Sequence, residues 1–212
     1  MKTIKIALTS MFLIVSSYAS AVEISANASL SSDYIWRGMT QTQGDLAVSG
    51  GFDLSTDMGF YIGTWASNAG GNGTDYSMEL DVYLGFSGEM AENMTYDVGY
   101  ISVTYPGDNS ADFEEAYIAF NIYGLNILYS DGQDNGPAYS EVAYGVDAGP
   151  GTFNISYGEY EQYGSNTLVG YDWSIGDFSV GFYYYDFEAK TTGKNTGQTD
   201  DDGAYVSLSR SF

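Results

Sequence analysis

The sequence predicts an all-β fold: an antiparallel up-and-down β-barrel of about twelve strands. Three observations predict it. Apolar and polar residues alternate with a period of two through one short segment after another. Tight turns alternate with longer polar loops between those segments. The prolines, Pro106, Pro137 and Pro150, all fall between segments, where a residue that cannot donate to a ladder belongs.

The chain opens with a leader. Lys2 and Lys5 precede an apolar run from Ile6 to Val15 that is too short to span a bilayer as a helix, and Ala19-Ser20-Ala21 is a small-x-small cleavage site. A secretory signal peptide is expected over 1–21, cleaved after Ala21, with 22–212 as a single barrel domain. Beyond the leader 4 basic residues face 28 acidic ones, a net charge of −24. That balance argues against nucleic acid and polybasic membrane docking as partners. There is no Cys, so no disulfide framework can hold an exported fold together.

The first strand is expected to run from Val22 to Trp36. Val22, Ile24, Ala26, Ala28, Leu30, Tyr34 and Trp36 share one face; Glu23, Ser25, Asn27, Asp33 and Arg37 share the other. Met39 to Asp45 is a polar loop. Leu46, Val48, Phe52 and Leu54 alternate next, and Thr56 to Gly59 is a tight turn. Phe60 to Asn68 is a strand and Ala69 to Thr74 a Gly-rich loop. Tyr76, Met78, Leu80, Val82, Leu84 and Phe86 form the cleanest apolar face, opposite Asp75, Glu79, Asp81 and Tyr83.

Met94, Tyr96, Val98 and Tyr100 continue the pattern opposite Asp97, and Pro106 to Asp112 is a loop. Ala116, Ile118, Phe120 and Ile122 oppose Glu115 and Tyr117. A turn at Gly124 leads to Leu125, Ile127 and Tyr129. After the loop Asp131 to Ala138 come Val142, Tyr144 and Val146, the turn Gly149-Pro150-Gly151, then Phe153, Ile155 and Tyr157. Beyond a loop around Gly164, Val169, Tyr171, Trp173 and Ile175 precede the turn Gly176-Asp177. Phe178, Val180, Phe182 and Tyr184 lead into the longest loop, Glu188 to Asp202, and the chain closes with Val206, Leu208 and Phe212.

Several of these stretches, SDYIWRGMTQTQGD, GGFD, GFYIGTWASN, ELDVYLGFSGE and YDVGYISVTYPG, resemble the TorF-like family of outer-membrane porins, earlier catalogued as Gcw_chp proteins. The resemblance is dense over Ile24 to Tyr129 and thinner afterwards. Leu46 and Ser49 stand where Pro and Gln are common. The resemblance implies a barrel in the bacterial cell outer membrane with a pore, and no defined substrate.

The outward positions agree with lipid. Charge is nearly absent from them, and the exceptions, Asp186 and Arg210, lie near strand ends. Tyr34, Trp36 and Trp173 are expected to form aromatic girdles. Phe212 resembles a C-terminal assembly signal, although Arg210 departs from the apolar residue usual there. With tight turns at one end and loops at the other, an even strand number puts both termini on the periplasmic side. A secreted β-sandwich would alternate in the same way and is the alternative fold.

The inward face carries any chemistry. The expected pore-lining residues are Asp33, Arg37, Asp53, Glu79, Asp81, Asp97, Glu115, Glu141, Asp147 and Asp172. Arg37 has two readings: a constriction residue in an acidic lumen, or a strut paired with Asp33 or a loop acid such as Asp202. Glu79 and Asp81 could be a catalytic pair or plain pore wall. Tyr83, Tyr117 and Tyr183 could stack sugars or plug the lumen. With no His and no Cys, imidazole and thiol chemistry are closed, and no catalytic residue, cofactor or resident metal is expected. Loop acids Asp131, Asp134 and Asp200 to Asp202 could hold Ca²⁺ or be solvated charge.

The expectation is therefore a non-enzymatic outer-membrane porin, passing small polar solutes passively with a preference for cations. Its expected partners are outer-membrane lipid and an unidentified solute, in a monomer or small homo-oligomer. A closed barrel with a structural or adhesive role is the alternative.

Overall fold

The computed structural model describes residues 22–71, 73–134, 136–190 and 198–212; the expected signal peptide lies outside them. The strands are β1 (Glu23–Ser31), β2 (Ile35–Trp36), β3 (Met39–Thr40), β4 (Ala47–Ser55), β5 (Phe60–Asn68), β6 (Met78–Ala91) and β7 (Met94–Thr104). They continue as β8 (Phe113–Ile122), β9 (Leu125–Gly132), β10 (Tyr139–Ala148), β11 (Gly151–Tyr160), β12 (Gly164–Ile175), β13 (Phe178–Ala189) and β14 (Asp201–Ser211).

All but β2 and β3 form one closed antiparallel barrel, each strand beside its neighbours in sequence and β14 returning to β1. Closure into a single sheet removes the sandwich alternative and leaves no free strand edge. The seam pairs Asn27 with Ser211 and Ser31 with Ser207, and reciprocal backbone bonds between Ala26 and Phe212 (3.2 and 2.8 Å) extend it. Short turns at 56–59, 92–93, 123–124, 149–150 and 176–177 gather at one end, here the turn end. Tyr123 and Gly124, both at positive φ (53° and 89°), make one of them the primed two-residue turn that matches strand twist. The other end, the loop end, carries the longer connections. One is shorter than expected: β12 starts at Gly164, leaving three residues, 161–163, between β11 and β12.

The period of two sorts side chains as a register requires. On β6, Val82, Leu84 and Phe86 point out and are 45–50% exposed, while Glu79, Asp81 and Tyr83 point in and are buried. The same holds around the barrel: Val98, Ile118, Ile127, Val142, Ile155, Phe182 and Val206 lie on an exposed apolar outer belt. Among the described residues the inner face is polar and aromatic, with Ile101 and Val103 of β7 as buried aliphatic members.

The first strand ends early. Alternation predicts a strand to Trp36, but β1 stops at Ser31 and the chain bends at Ser32 and Asp33. The following β2 and β3 pair only with each other, Ile35 with Thr40 and Trp36 with Met39. Their hairpin folds into the barrel interior rather than continuing the wall. Tyr34 and Trp36 therefore do not belong to an outer girdle. Their parity continues that of β1, but the bend has already taken the chain out of the sheet.

Candidate functional site

The site is the barrel interior at the loop end, and the inward hairpin organises it. Its turn residues Arg37 (φ 49°) and Gly38 (φ 80°) are both left-handed, the primed geometry that Gly accepts without strain. Gly38 also needs its small size: a Cβ there would lie 2.5 Å from the Asn166 Cβ on β12. The hairpin thus lies against the inner wall at β12. Ile35, buried, packs with Leu168, Tyr183, Tyr185 and Tyr205 of β12, β13 and β14.

Arg37 holds the hairpin there. Its guanidinium donates from Nη1 and Nη2 to the two carboxylate oxygens of Glu115 on β8, at 2.7 and 2.6 Å. This fork-to-fork geometry is the strongest form of the pair, and both side chains are buried. The cation also lies over the rings of Tyr139 (4.1 Å), Tyr160 (4.6 Å) and Trp36 (4.7 Å). Ser130 donates to the same carboxylate at 2.6 Å. The partner is Glu115, not Asp33 or Asp202. Asp33 instead closes its own loop, accepting from the hydroxyls of Thr40 and Thr42 at 2.7 Å each, and Asp202 accepts from Tyr184 at 3.2 Å.

Most other inward acids are met by neutral donors, chiefly phenols. Glu79 accepts from Tyr34 (2.5 Å) and Tyr105 (2.6 Å), Asp97 from Tyr61 (2.5 Å) and Glu141 from Tyr139 (2.9 Å). Asp53 accepts from Tyr83, and Asp172 from Tyr183 and from Asn154 at 2.7 Å. Burial first, and then the charge of Glu79, push the Tyr34 and Tyr105 phenols well above their ordinary range, so they remain donors. Asp147 stands apart: it is exposed at the turn end and accepts only a long bond from Thr152, 3.4 Å. Asp81, 1% exposed, has an Oδ1 with no hydrogen-bond partner.

The inward tyrosines lie along the wall. Tyr83 is paired across strands with Gly63, and Tyr117 with Gly99. A Cβ on Gly63 would sit 2.5 Å from Cε2 and Cζ of Tyr83, so the ring occupies the space the glycine leaves. Glycine opposite an aromatic ring is the rescue arrangement of curved sheets.

Residue type and parity locate the acids but not their partners. Tyr61, Tyr105, Tyr139, Tyr160, Ser130 and Asn166 complete the interior; of these, Tyr61 and Tyr105 lie in the stretches that carry the family resemblance and the others in no motif. The available signal is parity for those on strands, which puts Tyr61, Ser130 and Tyr139 on inner faces. Among the described residues no group of three or more Asp, Glu, His or Cys is placed to hold a metal. Asp200 accepts instead from the Ala189 amide at 2.9 Å.

These features define a class: a closed twelve-stranded antiparallel barrel with an apolar exterior and an acid- and tyrosine-lined interior crossed by its first loop. The chain belongs to the Gcw_chp family, described as a bacterial protein of unknown function, whose family model matches residues 16–126. That stretch includes the inward hairpin, Glu79, Asp81, Asp97 and Glu115; Tyr139 and Tyr160, which stack on Arg37, lie beyond it. No curated protein matches the chain.

Proposed function

We propose that this chain is a TorF-like outer-membrane porin, a barrel that gives passive, cation-preferring diffusion of small polar solutes without catalysis. The observation that carries the reading is the inner wall. Its carboxylates are satisfied mainly by neutral phenols, and among the described residues Arg37 is the one cation inside. Lys190 and Arg210 pair with Glu159 and Asp177 at partly exposed positions near strand ends. A wall of this kind concentrates cations and repels anions before any specific contact.

Support for a membrane location is the outer belt. Exposed Val, Leu, Ile and Phe surround the barrel, and a contiguous apolar belt of this kind is rare on soluble monomers. Arg210, on an outward position, pairs with Asp177 at 3.1 Å and lies 4.9 Å from the Phe212 ring centre, a placement suited to the interface. In this reading the turn end and both termini face the periplasm, the leader is removed after Ala21, and the inward hairpin is the constriction. Twelve strands stand between filled eight-stranded barrels and open porins of 16 strands.

A closed barrel is the second reading. It is favoured by burial of Tyr83, Tyr117, Ile101 and Val103 together with the hairpin. Planar-bilayer recording separates the two. A conducting, cation-selective channel by reversal potential across a salt gradient is expected. Anion selectivity refutes the proposed mechanism, and absence of conductance in correctly folded protein transfers the assignment to the closed barrel.

A further inference from the structure

Asp81 is the exception among the buried acids of the inner wall. Asp53, Glu79, Asp97, Glu115, Glu141 and Asp172 each accept a hydrogen bond from a named side chain, whereas Asp81 Oδ1 is buried with no donor. Its cross-strand neighbours are Trp65 on β5 and Val103 on β7. Glu79 lies two residues away on the same face, about 6.8 Å along the strand. Glu79 is 2% exposed and Asp81 1%. Two carboxylates are thus held on one face out of water, a state relieved either by a proton on one of them or by a bound cation, and a cation in addition partners the orphaned Oδ1. Arg37 cannot be that cation, because both ends of its fork are committed to Glu115.

We propose that Glu79 and Asp81 bind one dehydrated monovalent alkali cation. The ligand atoms are hard oxygens: Asp81 Oδ1, the Glu79 carboxylate, and the phenol oxygens of Tyr34 and Tyr105, which keep lone pairs after donating to Glu79. Such a set selects a hard cation. Mg²⁺ keeps several waters and Ca²⁺ takes 6–8 oxygens; a site with two buried carboxylates and no third acid offers neither. An organic ammonium is too large for groups so little exposed. The edge-on contact of Tyr34 with Trp65 (5.3 Å) and the packing of Tyr76 on Tyr105 (4.5 Å) close the site with aromatic surface. Binding here does not depend on conduction, so a closed barrel would hold the ion equally.

The test is sodium NMR line width on the detergent-folded barrel at constant ionic strength. Saturable broadening by the wild type is expected, lost in Asp81→Asn and retained in Asp97→Asn, with gel mobility before and after boiling as the check on folding. Equal broadening in wild type and Asp81→Asn would reduce the effect to the ion atmosphere of an acidic interior and overturn the site. Should Asp81→Asn not fold, competition on the wild type decides. Potassium is expected to displace sodium where choline does not; displacement by choline overturns the proposal.

Discussion

Replacing Arg37 by Met removes the cation that seats the inward hairpin and leaves Glu115 buried, with Ser130 as its remaining donor. Removing one partner of a buried pair costs about 3–5 kcal/mol, because the other charge keeps its desolvation penalty. Three aromatic faces also lose their cation, which places the loss toward the upper end. On the scale of about 1.4 kcal/mol per tenfold, the folding equilibrium shifts by roughly a hundredfold to several thousandfold. Glu115→Gln alone is expected to cost less, since Arg37 keeps its rings. The double variant Arg37→Met/Glu115→Gln removes both buried charges and should be more stable than Arg37→Met. Urea unfolding in lipid vesicles, followed by Trp fluorescence, measures all four proteins as a double-mutant cycle. Additive losses, or a cost below about 1 kcal/mol for Arg37→Met, would refute the seating role of this pair.

Three other outcomes are expected. Leu84→Arg, on the outer face of β6, should destabilise the barrel by about 2–4 kcal/mol in vesicles, while Asp97→Asn on the inner face should still give heat-modifiable folded protein; equal damage would contradict the register. Gly63→Val should displace the Tyr83 ring and cost about 1–3 kcal/mol by overpacking, and Gly63→Val/Tyr83→Ala should recover part of it in the same unfolding assay. In a conducting channel, Asp97→Asn/Glu141→Gln should lower the cation-to-anion permeability ratio, and the wild-type ratio should itself fall toward unity near 1 M salt, where screening acts over about 3 Å. A ratio insensitive to both would show that the wall charge does not set selectivity.

The barrel was legible because its rule is local. Alternation through Leu80, Val82, Leu84 and Phe86 against Glu79, Asp81 and Tyr83 needs no knowledge of the rest of the chain, and the structure keeps that division. The same rule failed at Tyr34 and Trp36. Parity runs on through Ser32 and Asp33, yet a period of two cannot register that the chain has left the sheet. The signals that mark the bend are the Ser-Asp pair and the Arg37-Gly38 turn, a weaker turn signature than Asn-Gly. The partner of Arg37 was beyond sequence reasoning for a different reason. Glu115 lies 78 residues away, and it is one of several inward acids that parity alone cannot rank. Closure of the barrel, and the depth to which the hairpin enters it, decide which acid is reached.

The choice of tyrosine as the general partner has a consequence for charge. A buried carboxylate can be satisfied by Lys or Arg, which cancels its charge, or by a phenol, which completes its hydrogen bonding and leaves the charge in place. Glu79, Asp97, Glu141, Asp53 and Asp172 all take the second course. The ring also lies over the glycine that opposes it, as at Tyr83 and Gly63. An apolar filling would stabilise a purely structural barrel at least as well, because buried charges carry a desolvation penalty that packed hydrocarbon does not. A wall of phenol-capped acids adds no counter-charge of its own, and the proposed cation preference rests on that feature. Among the described residues the one buried cation, Arg37, anchors the hairpin through Glu115 and neutralises that acid alone.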